Sequence, residues 1–72
     1  MSVVVAIGER ELLEGYALAG VEVIDAGDGR AIRRAWDELQ TDVGLVLLSS
    51  ASHAALAERL SEKALLWVVL PE

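Results

Sequence analysis

Two apolar runs in the second half of the chain limit what it can fold into. Residues 43–48 (VGLVLL) and 64–70 (ALLWVVL) contain no charged side chain, so each is apolar on both faces when extended. Such strands are typical of parallel sheets that helices cover on both sides. Neither run can span a bilayer, which takes about 20 apolar residues. The chain therefore has to build a sheet and supply helices to cover it.

The rest of the sequence alternates between strand-like and helix-like segments. Residues 2–7 (SVVVAI) and 21–25 (VEVID) are rich in β-branched residues and predict two further strands. Between the four predicted strands, apolar residues recur at helical spacing in three stretches. Their apolar stripes are Leu12, Leu13, Tyr16 and Ala19; then Ile32, Ala35, Trp36 and Leu39; and then His53, Leu56, Ala57 and Leu60.

This order of elements predicts a single α/β domain over residues 1–72 with a four-stranded parallel sheet. Right-handed crossovers and the usual doubly wound arrangement predict the strand order 2-1-3-4, as in flavodoxin-like, receiver-like and other Rossmann-like folds. Helix 1 then covers one face of the sheet, and helices 2 and 3 cover the other. One helix cannot cover four strands, so the helix-1 side of strands 3 and 4 is predicted to be bare.

The bare side is predicted to be apolar whichever way strand 4 faces. It consists either of Leu65, Trp67 and Val69 or of Leu66, Val68 and Leu70, because side chains alternate along a strand. Each large apolar side chain left in water forgoes about 1.5–3 kcal/mol of burial. An open patch of this kind normally marks a partner surface. We expect Leu65, Trp67 and Val69 to contribute to that contact, although both tryptophans are interpreted first as core residues.

Charge and composition exclude several functions. Twelve acidic and six basic side chains give a net charge of −6, which repels the phosphates of nucleic acids. The chain has no cysteine and one histidine, so neither a disulfide nor a structural zinc site is predicted. The N-terminus lacks the basic leader and the long apolar core of a signal peptide. We expect a cytoplasmic protein with no nucleic-acid partner, no cofactor and no metal.

The motifs that could carry catalysis are incomplete. Residues 27–29 (GDG) follow strand 2 and lack the third glycine of a dinucleotide loop, so a turn with Asp28 as a helix cap is the simpler interpretation. A receiver-type phosphoacceptor requires an aspartate where strand 3 ends, and Ser49 stands there. His53 lies near three serines but has no carboxylate on the same helix face to orient it. The serines are interpreted as helix caps, and no catalytic residue is predicted.

One edge of the sheet offers a place for a small ligand. Doubly wound sheets bind ligands where the strand order reverses, here between the carboxyl ends of strands 1 and 3. Gly8 and Glu9 are expected to meet Ser49 and Ser50 there. Backbone amides at the start of helix 3 could take a small anion. A stand-alone regulatory or anion-binding domain is therefore an alternative to a protein-interaction role.

A glycine inside the first helix has two explanations. Gly15 costs about 1 kcal/mol relative to alanine at such a position. With Ala19 it forms a smooth strip, and Leu18 lies beyond that strip. Either Gly15 lets helix 1 sit close on its own sheet, or Gly15, Leu18 and Ala19 contact a partner. Gly20 is suited to a left-handed helix end.

The same residues resemble a known family. VVVAIGERELLEGYALAGVEV is similar to the start of the F subunit of V-type and A-type ATPases (ATP synthases), where a strand ending Ile-Gly-Asp precedes a helix ending Gly-Phe-x-Leu-Ala-Gly-Val. Ile7 and Gly8 match the strand end, and Tyr16 replaces the aromatic residue. The helix end is matched by Gly15, Leu18, Ala19, Gly20 and Val21. VGLVLLSS and LLWVVLPE are similar to the third and last strands of the family. The resemblance covers nearly all of the chain, but only the first motif is distinctive.

The resemblance implies a non-catalytic subunit of the central stalk, or rotor, of a rotary ATPase. Such a protein binds the coiled-coil rotor shaft and couples or regulates ATP hydrolysis or synthesis and proton or sodium transport. It holds no nucleotide and meets the membrane only through the complex. Two features differ from the family. Glu9 replaces the usual aspartate, and the chain is a short form that stops at Glu72 without the usual C-terminal helical segment.

A third hypothesis needs no other protein. Two copies of the chain could form a homo-oligomer in which their bare faces cover each other. This hypothesis and the central-stalk hypothesis both depend on the predicted bare face, whereas the anion-binding hypothesis depends on the carboxyl edge of the sheet.

Overall fold

Four parallel strands form one sheet in the order 2-1-3-4, as predicted. The computed structural model describes residues 3–71; the predicted strand residue Ser2 and the last residue, Glu72, lie outside that range. The strands are β1 (Val3–Gly8), β2 (Glu22–Asp25), β3 (Val43–Leu48) and β4 (Leu66–Val69). The helices are α1 (Arg10–Leu18), α2 (Gly29–Asp37) and α3 (Ser50–Leu56), and a 3-10 turn spans Leu60–Glu62.

The two faces of the sheet are covered unequally. Helices α2 and α3 contact each other on one face, and the main core lies between them and the sheet. Trp36 is the largest fully buried side chain in this core. Helix α1 packs against β1 and β2 on the other face, where Leu13 is buried outside that core. In the described part of the chain, the α1 face of β3 and β4 is therefore left without a helix.

Local sequence explains how α1 ends. Gly20 has φ +92°, a left-handed conformation that most side chains disfavour. Its N–H donates to the carbonyl of Ala17, and the N–H of Val21 donates to the carbonyl of Tyr16 at 3.1 Å. These two bonds form a Schellman motif, which satisfies carbonyls that the helix end leaves without partners. The predicted role of Gly20 is confirmed.

Helix α2 matches its predicted stripe more closely than the other helices do. Ile32, Ala35 and Trp36 are buried, and the Asp28 side chain accepts the N–H of Ala31 at 2.8 Å, as expected of a helix cap. The α1 stripe is wrong in part, because Leu13 is buried whereas Leu12 and Ala19 are exposed. The third helix ends earlier than its predicted stripe, so Leu60 is buried from the 3-10 turn instead.

A charged cluster joins α2 to the segment that precedes β4. Arg59 bonds to Asp37 and donates from Nε to Oε1 of Glu62 at 3.2 Å. The indole N–H of Trp36 donates to the same Glu62 oxygen at 3.4 Å, and Lys63 Nζ lies 5.5 Å from the Trp36 ring centroid. The hydrogen bond with Arg59 lowers the pKa of Asp37 and raises the pKa of Arg59. These contacts position the connection that leads into β4.

Candidate interaction surface

The α1 side of β3 and β4 is an apolar surface that no helix within residues 3–71 covers. The register pairs Leu45 with Leu66 and Leu47 with Val68, and paired residues of parallel strands point to the same side. Leu66 is 72% exposed and Val68 is 49% exposed. We call this surface the uncovered face: Leu45, Leu47, Leu66, Val68 and Leu70. The bare side expected on strands 3 and 4 is therefore present.

The prediction that Leu65, Trp67 and Val69 of strand 4 lie on that side is wrong. The register places Trp67 beside Val46, a core residue under α2 and α3, so Leu65, Trp67 and Val69 point to the helix-covered face. Leu65 packs against the main core. The centroid of the Trp67 ring lies 5.4 Å from the centroid of the His53 ring on α3. Trp67 remains 39% exposed, so it is a core-edge residue rather than a fully buried one.

The three predicted contact residues of α1 lie on the surface. A Cβ atom built on Gly15 meets no heavy atom within 4 Å, apart from its chain neighbours and the nearby helix backbone. The explanation that Gly15 lets α1 approach its own sheet is therefore wrong. Leu18 is 92% exposed, and Ala19 is exposed as well. All three are accessible, and their contact with a partner stays a prediction.

Replacing Gly15 with alanine is expected to stabilise the isolated protein by about 0.5–1 kcal/mol. Alanine restricts the unfolded chain and favours the helix, and the added methyl group meets open space. Gly20→Ala is the matched control and is expected to destabilise by about 1–2 kcal/mol, because its φ is left-handed. Urea unfolding followed by circular dichroism measures both. A clear loss of stability in Gly15→Ala would show that this glycine packs within the chain.

A small apolar cleft borders the uncovered face near the carboxyl end of β4. Its volume is about 190 Å³. It is lined by Leu12, Leu13, Tyr16, Ser49, Leu70 and Pro71. Leu12 is 56% exposed, so the cleft is open to solvent on the α1 side. Ligand pockets usually measure about 300–1,000 Å³. The cleft therefore suits one apolar side chain of a protein partner better than a cofactor.

The predicted ligand edge is assembled but closed by packing. Gly8 and Ser49 lie together, and a Cβ on Gly8 would be 2.9 Å from the Ser49 Cβ. Ser49 is buried, and its Oγ accepts the N–H of Ser52 at 3.1 Å. Ser50 and Glu9 are exposed at the rim, and Glu9 makes no side-chain cap bond to α1. Gly8 and Ser49 leave no room for an anion between them.

The chain supplies its own partners to both helix starts at this edge. At the start of α1, the Arg10 N–H donates to Oδ1 of Asp25 at 3.0 Å. At α3, the buried hydroxyl of Ser52 accepts from Ser49 Oγ at 3.0 Å and donates to the carbonyl of Ile7 at 2.7 Å. His53 contacts Trp67 rather than taking part in this serine network. The geometry does not support the anion-binding or the serine-nucleophile hypothesis.

Sequence reasoning missed the roles of Asp25 and Ser52. Asp25 ends β2 and accepts the N–H of Arg10 at the start of α1, whereas Ser52, in the first turn of α3, donates its hydroxyl to the carbonyl of Ile7 on β1. Their partners are 15 and 45 residues away along the chain, Arg10 and Ile7. Only the order of the strands brings such distant residues together.

The chain offers no metal cluster or membrane-spanning helix within its described residues, and no relative is found for it. Within residues 3–71, no group of three or more metal-ligating side chains is placed to hold an ion, and no helix is long and apolar enough to cross a membrane. Comparisons with protein-family models, curated proteins and solved structures find no match. We argue function from the uncovered face and its neighbouring cleft, because large apolar side chains stay exposed there.

Proposed function

We propose that this chain is a non-catalytic interaction subunit that binds an elongated helical protein, like the F subunit of rotary V-type and A-type ATPases that its sequence resembles. The uncovered face is the observation that carries the proposal. Leu66 and Val68 of β4 are exposed, although they lie beside β3, whose other face contributes Val46 and Leu48 to the main core. Burying a large apolar side chain contributes about 1.5–3 kcal/mol, so covering this face favours association.

The geometry favours a helix as the covering element. α1 contacts β1 and β2, and the space beside it over β3 and β4 is where a further helix packs when helices cover both faces of an α/β sheet. An apolar stripe of a partner helix can lie along Leu66 and Val68, with one side chain in the cleft beside Leu12. The uncovered face has no charged residue, whereas the chain as a whole carries a net charge of −6. A partner with basic residues flanking its apolar stripe is therefore favoured.

In this proposal, the partner is the coiled-coil protein that forms the rotor shaft of the V-type or A-type ATPase, and the chain helps to couple or regulate ATP hydrolysis or synthesis and ion transport. The chain itself binds no nucleotide, works in the cytoplasm and meets the membrane only through the complex. The motif from Ile7 to Val21 supports this choice of partner, and the uncovered face supports a protein partner in general.

Isothermal titration with the shaft protein of the same organism tests the proposal. The wild-type chain is expected to bind, and Leu66→Lys is expected to weaken binding by about tenfold or more, because a charge then enters the apolar contact. Leu66 is 72% exposed, so the isolated fold should tolerate this change. Leu18→Lys makes the same change on the 92% exposed residue of α1 and is the matched control.

The two variants separate the candidate surfaces. Loss of binding in Leu66→Lys alone supports the uncovered face. Loss in Leu18→Lys alone places the contact on the outer side of α1, with Gly15 and Ala19, and contradicts the uncovered face as the docking surface. A wild-type chain that does not bind the shaft overturns the proposed function.

A further inference from the structure

We infer that the free edge of β4 pairs with β4 of a second copy, so that the isolated chain forms a dimer with one continuous sheet. Among the described strands, β4 pairs with β3 alone and ends the sheet. An edge strand presents unpaired N–H and C=O groups, to which another extended strand can bond. This inference does not rest on the proposed function, because it uses the strand edge rather than the uncovered face.

The hydrogen bonding of β4 identifies the groups at the free edge. The N–H of Leu70 donates to the carbonyl of Leu48 on β3 at 2.8 Å. Successive residues of a strand direct their main-chain groups to opposite sides, so Leu66 and Val68 also bond toward β3. The N–H and C=O groups of Trp67 and Val69 therefore point away from the sheet.

In one antiparallel register, every outward N–H and C=O group of Trp67 and Val69 finds a partner within β4 of the second copy. With Val68 opposite Val68 of the second copy, Trp67 lies opposite Val69, and each such pair exchanges both of its N–H···O=C bonds. Centring the pairing on Val69 puts Trp67 opposite Pro71, which has no N–H. Centring it on Trp67 puts Val69 opposite Leu65, which lies outside β4.

The side chains of this register are self-complementary. On one face Trp67 meets Val69 of the second copy, an aromatic and a β-branched residue of the kind that stabilises neighbouring strands. On the other face Val68 meets its own copy, and Leu66 meets Leu70. The exposed parts of Leu66 and Val68 are then partly covered, because residues directly opposite lie about 4.5–5.5 Å apart at Cβ.

The distribution of charge favours pairing at the β4 edge over the β2 edge. It also favours a second copy of the chain as the partner of β4. The β2 edge carries the exposed acidic residues Glu22 and Asp25, and charges of this kind oppose edge-to-edge pairing. Residues 64–70 contain no charge, although the chain carries a net charge of −6. Two copies can therefore meet along β4 without placing like charges opposite each other.

Sedimentation equilibrium over a wide range of protein concentrations tests this inference with a matched pair of variants. Val69→Pro removes one outward N–H and leaves the bonds to β3, and proline is tolerated on edge strands. Val69→Ala shortens the same side chain but keeps the N–H. We expect the wild-type chain and Val69→Ala to dimerise. The dimer dissociation constant of Val69→Pro is expected to be higher by about tenfold or more. Circular dichroism establishes that each variant is folded.

A charge exchange on the two-fold axis gives a second test that does not depend on proline. Val68→Lys and Val68→Glu each place like charges opposite one another, so each is expected to be monomeric alone. Mixed together they place a lysine opposite a glutamate and are expected to form a heterodimer. Amide exchange at Trp67 and Val69 is expected to slow as the wild-type concentration rises.

Several results would overturn the edge-paired dimer. These are a wild-type chain that stays monomeric at every concentration, equal dimerisation of Val69→Pro and Val69→Ala, and an equimolar Val68 mixture that does not associate. A dimer abolished by Leu66→Lys but not by Val69→Pro would identify face-to-face pairing instead. Shaft binding by a purely monomeric chain would overturn the dimer and leave the proposed function standing.

Discussion

Replacing Trp36 with alanine is expected to destabilise the protein by about 3–5 kcal/mol. Trp36 has no exposed surface and is the largest fully buried side chain, so its loss leaves a large cavity under α2 and α3. Domains have about 0.05–0.15 kcal/mol of stability per residue, which gives this 72-residue chain about 4–11 kcal/mol. The variant should therefore lose a large share of its stability and unfold at a much lower urea concentration than the wild-type chain.

Urea unfolding followed by far-ultraviolet circular dichroism measures this effect without relying on tryptophan fluorescence. Trp67→Ala is the matched control, because Trp67 is 39% exposed and lies at the edge of the core beside His53. We expect its loss to cost less than half as much. Equal effects of the two substitutions would contradict the assignment of Trp36 as the centre of the core and Trp67 as its edge.

Gly8→Ala is expected to destabilise the protein by about 1–3 kcal/mol, because it overpacks a closed contact. The added Cβ would lie 2.9 Å from both Cβ and Oγ of Ser49 and 3.3 Å from Cδ1 of Leu13. The Ser49 Cβ is bound to the backbone and cannot move away as a flexible side-chain end can. Ser49 also caps α3, so a shift of this residue disturbs the start of that helix.

A double-mutant cycle isolates the contact. Ser49→Gly removes the clashing Cβ, and glycine at a helix cap costs only a few tenths of a kcal/mol relative to serine. Gly8→Ala should therefore be much less destabilising in the Ser49→Gly background, as measured by the same urea unfolding. Additive effects of the two substitutions would show that Gly8 and Ser49 do not limit each other.

The fold was predictable because its signals are local or periodic. Residues 43–48 are apolar on both faces and form β3 at the predicted bounds. In α2, the spacing of Ile32 and Trp36 and the cap residue Asp28 agree on one helix, so its face was predicted correctly. Once the order of elements is known, the handedness of crossovers leaves few arrangements of the sheet.

The candidate site was less predictable, because it depends on which of two adjacent residues points to a given side of a strand or helix. In β4 every residue is apolar, so hydropathy alone does not say which alternate set faces α1. A shift of one residue in register exchanges the two sets completely. Leu66 therefore lies on the uncovered face and Trp67 on the helix-covered face, the reverse of the prediction. The predicted apolar stripe of α1 was wrong in part for a similar reason. Leu12 and Leu13 are adjacent, and the spacing of apolar residues did not show which of them is buried.

The sequence by itself determined the class of fold, the order of the strands, the caps of α2 and α3, the left-handed glycine after α1 and the presence of a bare apolar side. These follow from residue chemistry and from spacing within one element. Only the tertiary structure decided that Leu66 and Val68 form that side, that Gly8 and Ser49 close the ligand edge, and that Gly15 faces solvent. Each of those outcomes depends on how elements far apart in the chain pair or pack against one another, which local patterns do not encode.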